Sequence, residues 1–385
     1  MSRLKQLIAE LCPDGVEYKE LREVLRIRNG KDYKHIAEGS IPVYGSGGII
    51  AYINQYAYDN PSVLIPRKGS IDKLYFVDEP FWTVDTIFYT EINTEIIEPK
   101  FVFYYLQSQR IERLNTAGGV PSLTQTILNK ILIPLPPLPV QQEIVRILDN
   151  FTELTTELTA ELTAELTVRR KQYEYYRDLL LTFGDEVPIV KMGEIGTIER
   201  GSGLQKNDFT EYGVGCIHYG QIYTYYGAFA YETKSFVSPT MASKLKKVNT
   251  GDIIIAVTSE NVEDVCKCVA WLGENEIVTG GHTAILKHNQ NPKYISYYLQ
   301  TYSFFKQKRK IAQGTKVIEI SPKKLEQILI PLPSLEEQEH IVAILDRFDA
   351  LCNDLTSGIP AEIEARQKQY EYYRDKLLTF KEVKA

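Results

Sequence analysis

The sequence is poor in the residues that staple small folds and in the runs that cross membranes. Among 385 residues there are five cysteines, two tryptophans and three methionines. Cys12, Cys216, Cys266, Cys268 and Cys352 form no C-x-x-C pair, which speaks against a disulfide framework and fits a reducing cytoplasm. No apolar run reaches about 18 residues, and Met1 to Leu11 carries Arg3, Lys5 and Glu10 without an apolar signal core, so neither secretion nor a membrane span is expected. A basic excess is also missing: 44 Lys and Arg against 50 Asp and Glu leave a net charge of −6. Taken as a total, that argues against nucleic acid, since phosphate contacts need clustered cations. The remaining composition, 44% apolar and 24% charged, is that of a globular chain long enough for about two domains of roughly 150 residues.

What the chain does have is an internal repeat. ILIPLPPLPVQQEIVRILDNF at 131–151 returns as ILIPLPSLEEQEHIVAILDRF at 328–348, an offset of 197, and KQYEYYRD at 171–178 returns at 368–375 with the same offset. YYLQ at 104–107 and 297–300 is offset by 193, and VEYKELREVLRIRNG at 16–30 aligns with VPIVKMGEIGTIERG at 187–201, offset by 171. Variable and repeated segments therefore alternate. The implied division is a first variable domain over 1–138, a central helical segment over 139–183, a second variable domain over 184–333 and a C-terminal helical segment over 334–385.

The repeated segments carry helical apolar spacing. Ile144, Val145, Ile147, Leu148 and Phe151 begin it, and Leu154, Leu158, Leu162 and Leu166 continue it every four residues, matched by Leu351, Leu355, Ile359 and Ile363. This predicts a buried seam between two packed helices. From Val140 to Phe183 the first helix could run about 65 Å. Proline-rich ILIPLP marks each helix start, because proline is tolerated there and not inside; Gly358 and Pro360 predict a break in the second helix and a new start at Pro360. Within the first helix FTEL, TTEL, TAEL and TAEL follow one another over 151–166. Each such unit lengthens a helix by about 6 Å and turns it by about 40° beyond one revolution, as an adjustable spacer would. A solvated Glu face explains the glutamates equally well, but not the tandem copying of whole units.

The variable segments read as α+β domains: short runs such as SVLIP, LYFV, DIIIAVT and CVAWL lie between turn residues. One helix is expected to close each domain, containing FVFYYLQSQRIERL in the first and YISYYLQTYSFFKQKRKI in the second. Charge is distributed unevenly. The helical segments hold 5 basic against 8 acidic residues and 7 against 11, the variable ones 15 against 16 and 17 against 15. Acidity thus marks the helices and leaves the domains near neutral, with cations clustered at Arg22 to Lys34, at Arg67 and Lys68, at Lys244 to Lys247 and at Lys306 to Lys310. Aromatic and amide residues interleave with them, a mixture suited to phosphate contacts and base-edge hydrogen bonds. The charge total therefore loses its force against DNA.

With LPPLPVQQEIVRILD-type and QYEYYRD-type segments following each variable domain and TAEL units in the central one, the chain resembles the specificity subunit of a type I restriction-modification enzyme. The resemblance spans essentially the whole chain. It implies that each variable domain is a target recognition domain reading one half of a bipartite, asymmetric site in double-stranded DNA. It also implies two long antiparallel helices forming a coiled coil, which set the spacer between half-sites and dock two modification (methyltransferase) subunits, with restriction/translocase subunits in the full complex and no membrane partner. The second helical segment has LTSGIPAEI in place of TAEL units, so the ruler role carries over only to 151–166.

By resemblance and chemistry the candidate DNA-contacting residues are Tyr44, Ser46, Arg67, Lys68, Lys73, Thr83 and Asp85 in the first domain, and Lys206, His218, Tyr219, Gln221, Tyr223, Tyr225, Tyr226, Ser259, Asn261 and Lys316 in the second. No catalytic, cofactor or metal site is expected in this chain, and S-adenosylmethionine is expected on the methyltransferase partners. NPKY at 291–294 lacks the second proline of an adenine-methyltransferase clamp and reads as a helix N-cap with Pro at the first position. The glycine clusters at 45–48 and 201–203 lack phosphate-loop spacing. Cys266 and Cys268 on an alternating strand would share one face, and no second pair completes a zinc site, even with His282. The competing reading is a coiled-coil adaptor whose two domains bind protein or another ligand.

Overall fold

The computed structural model of the chain describes residues 3–115, 119–353 and 357–383. Contacts divide it into two units, residues 1–161 with 363–385, and residues 162–362.

In unit 1, Ser62–Pro66 (SVLIP) is buried at every position and is flanked antiparallel by Ile87–Ile92 and Tyr75–Val77, while Leu25–Asn29 adds to the outer side of Ile87–Ile92. A continuous apolar run is what a strand covered on both faces requires. A second sheet places Glu38–Gly45 between Gly48–Ile53 and Trp82–Thr83, the latter pairing in parallel through Tyr44 and Thr83. Unit 2 repeats the plan. Ile253–Ala256 lies between Thr283–His288 and Cys268–Trp271, Gly196–Arg200 flanks Thr283–His288, and Val214–Ile217 pairs in parallel with Ile277–Thr279. Each unit closes with a short ladder from its repeated segment: Tyr18–Glu20 with Leu132–Pro134, and Ile189–Lys191 with Leu329–Pro331. The ILIPLP segments are therefore edge strands first and helix leaders second.

The expected closing helices are broken. Unit 1 has Pro99–Ser108, then Arg110 in the left-handed region (φ 48°) and a 3-10 turn Ile111–Leu114. Unit 2 has Pro292–Tyr298 and Tyr302–Ile311, the second started by Thr301, whose hydroxyl accepts the Phe304 amide at 3.2 Å. As the sequence indicated, Asn291 caps the Pro292 helix, its Oδ1 accepting from the amides of Lys293 and Tyr294 at 3.0 and 3.2 Å.

The same three side chains fasten these helices to the long ones in both units. Asp149 accepts from Lys100 Nζ at 2.9 Å and Tyr104 Oη at 2.7 Å; Asp346 accepts from Lys293 Nζ at 2.7 Å and Tyr297 Oη at 2.6 Å. The central helix runs Leu138–Leu180, and the C-terminal segment folds as Leu335–Asn353 and Ile359–Leu377, broken where Gly358 and Pro360 required it.

The buried seam differs from the expected leucine stripe. Leu154 is 61% and Leu351 39% exposed, Leu158, Leu162, Leu166 and Ile363 are half-buried, Ile359 is buried, and Leu355 lies outside the described residues. Over 152–173 the half-buried or buried positions of the central helix are Thr152, Thr155, Leu158, Thr159, Leu162, Leu166, Arg169, Gln172 and Tyr173, within which Thr152, Thr155, Thr159, Leu162, Leu166, Arg169 and Tyr173 follow a three–four spacing. Packed helices meet every 3.5 residues, whereas a four-residue repeat drifts by about 40° per unit. The leucines consequently rotate through the seam instead of lining it, and threonines take the vacated places. In unit 1, Thr152 Oγ1 lies 2.9 Å from Tyr370 Oη. In unit 2 the Tyr176 ring stacks on Phe348 at 5.5 Å, and Tyr173 shares a buried cluster with Cys352.

Candidate nucleic-acid interface

In unit 1 the loops at one end of the two sheets converge. The Val84 amide donates to Tyr44 O at 3.0 Å and the Arg67 amide to Thr86 O at 2.9 Å, tying the turn after Gly45 and the segment after Pro66 to the 83–86 turn. Tyr75 Oη donates to Ser46 O at 3.2 Å, and Gly69 (φ +81°) brings its backbone beside Ser46, where a Cβ would lie 3.5 Å from Oγ. Lys68, Lys73 and Asp85 are exposed at this surface, while Ser46, Tyr44 and Arg67 are half-buried. Tyr44 packs 6.0 Å from Tyr75 and 6.5 Å from Phe81, and burial pushes its hydroxyl pKa up. The Arg67 guanidinium lies over Phe88 at 5.2 Å. Thr83 is fully buried. It lies on the short strand that pairs with Tyr44, and its Oγ1 is buried with no hydrogen-bond partner among the described residues, so its side chain is not presented at the surface.

In unit 2 the Tyr219 ring stands 4.5 Å from His218 and 4.7 Å from His282, and Thr258 Oγ1 is 3.0 Å from His282 Nδ1. Tyr223 Oη donates to Thr258 O at 2.7 Å. Ser259 pairs with Ile318, which brings the exposed Lys316 loop alongside, and exposed Asn261 starts the next turn by accepting the Asp264 amide at 2.7 Å. Exposed Lys206 is close enough to His218 to lower its pKa, behind the larger effect of burial.

Several of the chosen side chains are occupied in building the site. His218 is buried and caps the Tyr219–Thr224 helix, its Nδ1 accepting from the Gly220 amide at 3.1 Å. Gln221 accepts from the His218 amide at 3.0 Å and donates to Ser235 Oγ at 2.6 Å. Tyr225 and Tyr226 group instead with Lys234, whose Nζ lies 4.4 Å over the Tyr225 ring and whose amide donates to Tyr226 Oη at 2.7 Å; burial pushes the Tyr226 hydroxyl up to about 12. His282, which sequence reasoning considered only for zinc, is central here. Cys266 sits in a turn with φ 66° and only Cys268 begins a strand, so the two thiols do not share a strand face as expected.

The two loop clusters occupy equivalent places. The Arg67 and Val257 amides donate to Thr86 O and His282 O, and the Arg67 and Val257 carbonyls accept from Leu123 and Ile320. Thr83 in one unit and Thr279 in the other occupy the matching parallel pairs. Gly30 and Gly201 press against the same turn, where a Cβ would overlap Val84 O or Gly280 O. One framework thus presents two different sets of side chains. The profile of the type I restriction-modification DNA specificity domain matches the sequence twice, over residues 13–168 and 184–365. The chain belongs to that family. A Haemophilus influenzae chain named as a type I restriction enzyme specificity subunit is 33% identical over 95% of this chain and 96% of its own length. The specificity subunit of the Escherichia coli EcoR124I/EcoR124II enzymes is 36% identical over 73% of this chain and 70% of its own. Among solved structures, one from a study of complex assembly and conformational transition in a type I restriction-modification system covers 95% of this chain and 98% of its own, with TM-score 0.67 and 18% identity, a likeness of fold. As a specificity subunit, this protein has DNA sequence recognition as its role, and the duplicated loop surface is where that role is sought.

Proposed function

We propose that this specificity subunit reads a bipartite, asymmetric DNA site, unit 1 contacting one half and unit 2 the other, with recognition domains over 1–138 and 184–333 and helical segments over 139–183 and 334–385. The observation that carries this reading is the duplicated loop cluster: the same turns converge on the same framework while their exposed side chains differ. Lys68, Lys73 and Asp85 in one, Lys206, Asn261 and Lys316 in the other, present phosphate and base-edge partners. The same surface chemistry does not favour a protein-binding adaptor, since the exposed groups at the loop tips are mainly polar and cationic.

The chain works in the cytoplasm with two modification subunits, which bring S-adenosylmethionine and transfer the methyl group, and with restriction/translocase subunits in the full complex. No reacting group is assigned to this chain. Docking of one partner twice is supported by a second duplication, in the shared framework. A cleft of about 650 Å³ in unit 1 is lined by Tyr105, Leu114, Lys130, Ile131 and Leu132, and one of about 570 Å³ in unit 2 by Tyr298, Ile311, Gln327, Ile328 and Leu329 at the matching positions. The four-residue units over 151–166 set the gap between half-sites. Exchanging residues 187–327 for the corresponding segment of another specificity subunit tests the division. One half-site of the methylated sequence should change and the other persist; a change in both rejects it.

A further inference from the structure

Lys308 is a buried cation that the surface reading leaves unused. It is 5% exposed, on the Tyr302–Ile311 helix behind the unit 2 loops, and its Nζ donates to Glu263 O and to Val265 O, each at 2.7 Å. Phe304 and Phe305 enclose it, with ring centroids 5.8 and 5.6 Å away. Those two carbonyls end a single helical turn. Asn261 opens it, accepting the Asp264 amide at 2.7 Å through Oδ1 and donating to Asp264 Oδ2 at 2.8 Å, and the Val265 amide returns to Asn261 O at 3.3 Å. Cys266 follows with φ 66°, the left-handed conformation that terminates helices and that glycine ordinarily supplies. The last carbonyls of a helical turn lack partners within it, and a lysine side chain is one group that satisfies them, as Lys308 does here.

Among the described residues, no lysine in the other unit holds the matching loop in this way. Eleven residues separate Ala256 from Cys268, and eight separate Pro66 from Tyr75. The position matching Lys308 at the 197-residue offset is Ile111, buried in one cluster with Ile71 of the shorter loop. Apolar burial takes the place of a cation there. The longer loop presents its backbone to the interior, and Lys308 receives it.

We propose that Lys308 is a positioning residue for DNA sequence recognition: by holding the Glu263 and Val265 carbonyls it fixes the 259–265 turn, and with it Ser259 and Asn261, in the geometry that discriminates the second half-site. This rests on the bipartite reading above. Lys308 touches no DNA itself, and its effect is confined to one half-site.

The test uses the specificity subunit assembled with its modification subunits, methylating a DNA library randomised over both half-sites. Lys308→Met, close in volume but without N–H groups, should lose at least tenfold in discrimination across the second half-site while the first is unchanged. Amide hydrogen exchange over 259–267 should rise at least tenfold and that of Ile253–Ala256 should hold. Lys308→Arg, which keeps charged donors, should recover most of the discrimination. A Lys308→Met complex that retains second half-site discrimination within twofold overturns the proposal. If that variant does not assemble, Lys308→Leu, which also lacks N–H groups, is judged by the same two limits. Native complex lacking any bipartite preference would instead refute the reading beneath it.

Discussion

Replacing Gln141 or Gln338 by leucine removes a polar joint that recurs in both units. The two residues are offset by 197 and both are fully buried. Gln141 Nε2 donates to Ile96 O at 3.0 Å and Pro136 O at 2.7 Å, and its Oε1 accepts the Glu98 amide at 2.8 Å. Gln338 Nε2 donates to Pro333 O and Gln290 Oε1, and its Oε1 accepts the Asn291 amide, each at 3.0 Å. Each glutamine thereby joins the start of a long helix to the segment leading into the closing helix. Leucine nearly fills the volume but orphans one buried N–H and two acceptors. An unsatisfied buried group costs about 1–3 kcal/mol, and the added apolar contact returns roughly 1 kcal/mol. With three groups orphaned, the net loss is about 2–8 kcal/mol, or roughly 5–30 °C in melting temperature for a unit of this size. Urea unfolding followed by hydrogen exchange at the Glu98 and Asn291 amides separates the units: Gln141→Leu should weaken unit 1 alone and Gln338→Leu unit 2 alone. A loss below about 1 kcal/mol in both would show that these bonds do not hold the joint and would refute the reasoning.

Three further outcomes are expected. Deleting residues 163–166 shortens the helix by about 6 Å, so at about 3.4 Å per base pair the tolerated gap in the methylated site should contract by one or two base pairs with both half-sites unaltered; an unchanged gap rejects the spacer role. Leu154→Ala should cost less than about 0.5 kcal/mol and Leu162→Ala roughly 1–3 kcal/mol by chemical denaturation, and the reverse ranking would restore the leucine stripe as the seam. Burial pulls His288 down to about 4, below its unfolded value of about 6.5. The unfolded chain thus binds that proton more tightly, and the stabilisation is full above about pH 6.5 and fades toward pH 4. His288→Gln should flatten the pH dependence of unit 2 stability in that window, and an unaltered slope would assign it to other groups.

Much of the fold was legible because the chain states it twice. The 197-residue offset, the proline-led helix starts and the break at Gly358 and Pro360 need only local rules. The seam was not legible, since TAEL units repeat every four residues while packing recurs every 3.5, and polar Thr152, Thr155 and Thr159 occupy places where apolar residues were sought. Neither was the split of the closing helices, which hangs on left-handed Arg110 and on the Thr301 cap. For the site, residue chemistry picked out loops that converge, but it could not tell which side chains face outward. Thr83 and His218 share composition cues with exposed neighbours and are buried by strand pairing and helix capping, and His282 enters only because Thr283–His288 lies beside Ile253–Ala256. That adjacency is topological and has no local signature.

The central claim is that two equivalent loop surfaces read two different sequences. Mapping every methylated adenine or cytosine left by the assembled enzyme on random-sequence DNA tests it most directly. The account predicts one motif of two unlike specified halves separated by an unspecified gap of fixed length. A single contiguous motif, or methylation without sequence preference, would contradict it.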